Sequence, residues 1–139
     1  MTYAFAWSLQ QGVFAALQAA PGVTDLVGDR IYDAPPHASA AVDRADAYLT
    51  LGEEDVRRRG SVGGDIVTHD FRVTVHSGAN GFAEAKRAAA AISTALTDGG
   101  VALPEGHLIE LRFQSARAER GRGPDRRRIT LRFRALIEA

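Results

Sequence analysis

The sequence predicts an α+β domain over residues 1–139: an antiparallel sheet of about four strands with two helices packed on one face, in the order α-β-β-α-β-β. Three observations predict it. Phe71-Arg72-Val73-Thr74-Val75-His76 alternates apolar and polar residues, the period of a strand with one wet face. After the turn Ser77-Gly78-Ala79-Asn80-Gly81, an Ala-rich segment from Phe82 to Leu96 carries an apolar stripe of helical period. Two further alternating stretches, Leu108 to Ala116 and Arg128 to Ile137, follow. A strand that feeds straight into a helix needs that helix to lie back on its own sheet, and one-face alternation favours antiparallel pairing with a solvated side.

The first helix is expected from a Thr2 cap to about Ala19, because Phe5, Leu9, Val13 and Leu17 recur every four residues beside small Gly12 and Ala16. Pro21-Gly22 ends it, and a short helical turn is expected at Val23 to Val27. Pro35-Pro36 halts regular structure, and His37 to Asp46 read as a polar surface loop. The first strand, about Ala47 to Glu54, places Ala47, Leu49 and Leu51 on one face. The second, about Ile66 to His76, turns Phe71, Val73 and Val75 inward. The helical stripe Phe82, Ala85, Ala89, Ile92 and Leu96 faces the core, and Asp98-Gly99-Gly100 supplies a left-handed residue to end the helix. The third strand turns Ile109, Leu111 and Phe113 inward, and the last Ile129, Leu131, Phe133, Ala135 and Ile137.

Composition excludes several chemistries. The chain has no cysteine, hence no disulfide, thiolate metal site or cysteine nucleophile. Basic and acidic residues balance at 17 each, so no global field draws the protein onto nucleic acid or membrane. The start, Met1-Thr2-Tyr3-Ala4-Phe5, has no basic flank and no apolar run reaches a membrane span, so neither a secretory signal nor a membrane anchor is expected. A chain free of cysteine fits a reducing compartment.

Candidate chemical groups favour bland readings. His69 and His76 are seven apart on one strand and so face opposite sides, while His37 and His107 have no partner at ligand spacing; no metal is expected. Glu53-Glu54-Asp55 abuts Arg57-Arg58-Arg59, whose charges keep carboxylates ionised, the reverse of a general acid. Gly60-Ser61-Val62-Gly63-Gly64 lacks the Lys-Ser/Thr of a phosphate loop, and Ser61 sits in no nucleophile elbow. No catalytic residue and no cofactor is expected, and the chain is read as a non-enzyme. The wet face, Arg72, Thr74, His76, Glu110, Arg112, Gln114, Thr130, Arg132 and Arg134, is expected to carry cross-strand ion pairs and no aromatic platform for stacking bases.

Two segments stand out. Sixteen of the 17 cations are arginine, and nine fall in two predicted loops: Arg57, Arg58 and Arg59 in the first, and Arg117, Arg120, Arg122, Arg126, Arg127 and Arg128 in the second. A GC-rich genome also produces such an Arg and Ala bias. Long charged loops tend to be functional, and the glycines of residues 57–65 make that loop mobile until a partner orders it. In a chain without catalytic equipment, these arginines are read as docking loops.

Several segments together resemble a known family. Leu26-Val27-Gly28-Asp29-Arg30-Ile31-Tyr32-Asp33 with Pro35-Pro36, then Tyr48-Leu49-Thr50-Leu51-Gly52-Glu53, are similar to the first signatures of the tail-completion family of long-tailed phages. Val73-Thr74-Val75-His76-Ser77 with Gly81 to Leu96 resembles its strand-to-helix unit, and Ile129-Thr130-Leu131-Arg132-Phe133-Arg134 its last strand. His76 stands where many members carry Trp. The Arg and Ala bias resembles the version found in phage-like gene transfer agents. The resemblance implies a small α+β tail terminator that forms a homohexameric ring on the tail tube, stops its growth and docks to a head-side connector. It further implies that DNA passes through the ring without specific binding, and that the protein ends as part of a virion tail. Two other readings fit the residues: a nucleic-acid module acting through the arginines, and a ferredoxin-like small-ligand regulatory domain.

Overall fold

The computed structural model describes residues 3–33, 47–59, 66–78, 82–120 and 126–139. In chain order the elements are α1 (Ala6–Gln18), α2 (Pro21–Val27), β1 (Ile31–Tyr32), β2 (Tyr48–Thr50), β3 (Glu54–Arg58), β4 (Ile66–Ser77), α3 (Ala83–Thr97), β5 (His107–Arg120) and β6 (Arg127–Glu138). The class is α+β, but the sheet is mixed: it has six strands in the order β1-β2-β4-β6-β5, with β3 also paired to β4, and three helices accompany it. The expected four-strand antiparallel sheet is therefore corrected in strand number and in order.

Two corrections have local causes. The expected strand at residues 47–54 breaks at Gly52, whose φ of 107° brings it so near Asp33 that an added Cβ would sit 2.9 Å from the Asp33 carbonyl oxygen. The chain turns there and starts again as β3, which pairs antiparallel with β4 from Glu54↔Phe71 to Arg58↔Val67. Leu49 and Leu51 donate backbone hydrogen bonds to the carbonyls of Arg30 and Tyr32, and this makes β1 a parallel neighbour of β2.

β4 and β6 pair over their whole length, Ile66↔Glu138 to Ser77↔Arg127, so their odd positions share one face. Val67, Phe71, Val73, Val75, Ile129, Leu131, Phe133, Ala135 and Ile137 are buried there. Leu9, Val13, Ala16 and Leu17 of α1 and Ala85, Ala89, Ile92 and Leu96 of α3 join the same cluster, as their spacing predicts. Ala47, Leu49 and Leu51 are buried as expected. α1 starts later than expected and has no side-chain cap; Thr2 lies outside the described residues, as do residues 34–46 with the expected surface loop. Ser8 Oγ donates to the Glu105 carbonyl at 2.7 Å and accepts from the Glu105 N–H at 2.9 Å, tying α1 to the approach to β5.

β5 departs most from expectation. Ile109 and Phe113 remain 45% and 46% exposed, and Leu111 is only half-buried. Register shifts at Leu108/Glu110 and Phe113/Ser115 break the alternation, and β5 is the edge strand, covered by α3 only in part. Both arms of the predicted basic loop are strands: β5 runs to Arg120 and β6 begins at Arg127.

Candidate assembly surface

The nine singled-out arginines do not form one class. Arg57 and Arg58 belong to β3 rather than to a loop, and Arg59 donates its backbone N–H to the Ile66 carbonyl at 3.0 Å. Arg57 also donates to Asp70 Oδ2 at 3.0 Å, and Asp70 receives a two-pronged bond from Arg134 at 2.7 and 3.1 Å. That fork holds the Asp70 carboxyl below the ordinary carboxylate range despite its partial burial. Arg58, Arg59 and Arg120 are exposed and have no ion-pair partner among the described residues. Arg122 and the glycines of residues 60–64 lie outside those residues.

Arg126, Arg127 and Arg128 are held within the fold. The Arg126 guanidinium lies 6.0 Å from the Tyr48 ring centroid and that of Arg127 lies 5.6 Å from the Phe82 ring. Such stacking of a cation on a ring is worth about 0.5–1 kcal/mol at an exposed site. Arg128 donates to Glu119 Oε1 at 2.9 Å across the β5–β6 ladder, and Arg117 pairs with Glu119 at 3.4 Å. Glu119 thus serves one cation across the ladder and one along its own strand, and Arg112 likewise pairs with Glu110 within β5.

That face also bears aromatic rings that were not expected. Tyr48 stacks on His76 with centroids 4.5 Å apart, and Tyr32 meets Tyr48 edge to face at 6.0 Å. The sequence signal was the Tyr32 and Tyr48 parity, visible only once β1 and β2 join the sheet. These rings engage one another rather than standing open as a platform. His76 also shares a 2.9 Å hydrogen bond with Thr50. Burial, then the charges of Arg128 and Arg126, push its imidazole down to about 4.

A base held neutral in the fold, with an unfolded value of 6.5, supplies stability that is present above that pH and lost as pH falls toward 4. The wild-type melting temperature should therefore fall across this window more steeply than that of His76→Gln. The Asp70 contribution is lost only below the ordinary carboxylate value of 3.8, so the two windows separate. Parallel curves for the two proteins from pH 7 to 4 would contradict this reading of His76.

Among the described residues, the other titratable groups form no reactive arrangement. His69 is buried on the core side of β4, opposite in parity to His76, with Nδ1 3.4 Å from Glu54 Oε2. Glu54 Oε1 accepts the Tyr3 hydroxyl at 2.8 Å. Glu53 is exposed and pairs with Arg72 at 3.1 Å. The expected solvated acidic cluster is thus split, with Glu54 drawn inward while Glu53 and Asp55 stay in water. No group of three metal-ligating side chains occurs among the described residues, and none of their helices is long and apolar enough to cross a membrane.

A chain in the solved structure of the virion of a native gene transfer agent particle is 41% identical, with a TM-score of 0.86, and the match covers 99% of this chain and 100% of that one. No curated protein matches. Residues 11–138 match the family described as tail completion protein gp17, and the chain belongs to that family of structural phage-tail proteins.

Proposed function

We propose that this protein is a tail terminator: it closes into a homohexameric ring on the end of the tail tube, stops tube growth and joins the tail to the head-side connector. The observation that carries this reading is the end-to-end match to a chain of a gene transfer agent virion at 41% identity. Cyclic closure uses two different patches on each subunit and ends growth around the ring. With acidic and basic residues equal at 17, the bore would let DNA pass without gripping it. Assembly in the cytoplasm precedes incorporation into the particle. The exposed arginines Arg58, Arg59 and Arg120 serve as docking groups, whereas Arg126, Arg127 and Arg128 support the fold. Native mass spectrometry over a concentration series, with reconstruction of particles, should find one closed ring of this chain between tube and head. A single copy there, or an open helical filament, would overturn the proposal.

A further inference from the structure

The two lateral edges of the sheet differ in chemistry, and they differ in a complementary way. At the β1 edge, α1 presents a face without charge; no charged residue precedes Asp25 in a chain that is 24% charged. Trp7, the only tryptophan, is 65% exposed on it. With Phe14, Ile31, Tyr32, Asp33 and Leu51 it lines a groove of about 510 Å³. Depletion of charge around exposed aromatic residues marks the centre of protein interfaces, and tryptophan is the side chain most often dominant there.

The rim beside this groove is acidic. Asp33 lines the groove and Asp29 lies just before β1; both are exposed and make no ion pair among the described residues. The neighbouring cation, Arg30, is turned inward: Nε donates to the Ala47 carbonyl at 2.8 Å and Nη2 to the Leu26 carbonyl at 3.1 Å. At the opposite edge, β5 exposes Phe113 and Ile109, then Ala116 and Ala118, beside exposed Arg112, Arg117 and Arg120; Arg112 and Arg117 each lie 3.4 Å from a glutamate of the same strand, Glu110 and Glu119, while Arg120 has no ion-pair partner among the described residues. Two β1 edges brought together would set acid against acid, and two β5 edges arginine against arginine. A β1 edge meeting a β5 edge pairs both the apolar surfaces and the charges.

We propose that the β5 edge of one subunit seats in the Trp7 groove of the next copy of this chain, with the β5 arginines on its acidic rim. The interface is head-to-tail and therefore compatible with a ring; in this respect it rests on the function proposed above. Phe113 or Ile109 fills the groove, and Trp7 passes from water into an apolar contact.

Trp7 reports on its own burial. In the wild-type chain, its emission should shift to shorter wavelength over the same concentration range in which native mass spectrometry registers oligomers. Trp7→Glu should keep the far-ultraviolet circular dichroism and melting temperature of the monomer and raise the concentration needed for assembly at least tenfold. Because the chain has no cysteine, Gln11→Cys and Ala116→Cys, both at exposed positions, give a second test. In particles, a chain carrying both substitutions should yield a ladder of covalent multimers with a short bismaleimide, and neither single variant should. A ring with unchanged Trp7 emission and no ladder would overturn this interface and leave the ring standing. Like-to-like dimers of the Gln11→Cys variant, or its coupling to the tube protein, would overturn it too. Absence of any oligomer, in solution and in particles, would remove the ring itself.

Discussion

Phe133→Ala should lower the stability of the isolated subunit by about 3–5 kcal/mol, the range for truncating a buried phenylalanine. At this chain length that is a fall of roughly 10–20 °C in melting temperature. Phe133 is fully buried on β6, the strand between β4 and β5. Its ring lies 5.5 Å from Phe71 on β4 and 6.0 Å from Phe113 on β5, so one side chain joins three strands. The register puts Phe71, Phe133 and Phe113 opposite one another. Truncation would open a void between strands held by their own backbone ladders, which cannot close around it. Phe133→Leu keeps most of the volume and should cost less than about 1.5 kcal/mol. Phe113→Ala, at a site 46% exposed, should cost the monomer markedly less than Phe133→Ala. Equal losses at positions 113 and 133, measured by denaturant unfolding, would mean that Phe133 does not organise the core as described.

The contrast between those two phenylalanines also shows what was legible in the chain. Alternation reads the facing of a residue, and it was right wherever a strand has neighbours on both sides. Phe71, Val73 and Val75 on β4 and Ile129 to Ile137 on β6 are buried at the expected parity. The α3 stripe was equally plain, because helix period and burial agree at Ala85, Ala89, Ile92 and Leu96. Alternation cannot say whether a helix extends over a given strand. Ile109 and Phe113 therefore read as core, although the edge position and two bulges leave them partly in water. β1 is two residues long, below any periodic signal, and its pairing with β2 depends on backbone hydrogen bonds from Leu49 and Leu51. Gly52 was the readable warning that the strand around it breaks.

For the candidate site, charge was misleading in a specific way. Dense arginine suggests loop, but Arg117↔Thr130 and Glu119↔Arg128 are ladder partners, and Glu119 offsets the charge of Arg128 across the strands and of Arg117 along its own strand. Parity alone hid this: counted from Ile109, Leu111 and Phe113 it turns Arg117 and Glu119 inward, and only the register shift at Phe113/Ser115 brings them to the face of Arg128 and Thr130. The apolar groove at Trp7 was hidden for the opposite reason. Trp7 and Phe14 lie off the Leu9, Val13 and Leu17 stripe, and only the packed structure shows Ile31 and Leu51 arriving beside them.

Reversing Arg58 and Arg59 together to glutamate should abolish tail-to-head joining while leaving the isolated fold intact; Arg120 is kept, because it lies on the β5 edge that meets the next subunit. These two are exposed and have no ion-pair partner among the described residues, and surface substitutions of that kind usually move stability by no more than about 0.5 kcal/mol each. Reversing Arg126, Arg127 and Arg128 instead would confound the test. It would remove the contacts with Tyr48 and Phe82 and set a carboxylate against Glu119, so lost joining would follow from lost stability. Arginine pairs with carboxylates in a planar two-pronged geometry as readily as with phosphates, so joining and nucleic-acid binding draw on the same groups. Salt separates them. A module that neutralises several phosphates loses affinity steeply as salt rises through the physiological range, through release of condensed counterions. The expected result is tails without heads for the double variant, an unchanged melting temperature, and no duplex binding by the wild type at micromolar concentration near physiological salt. Micromolar, steeply salt-dependent binding of duplex DNA by the wild type, lost in the variant, would instead assign these arginines to phosphate and the joining role to another surface.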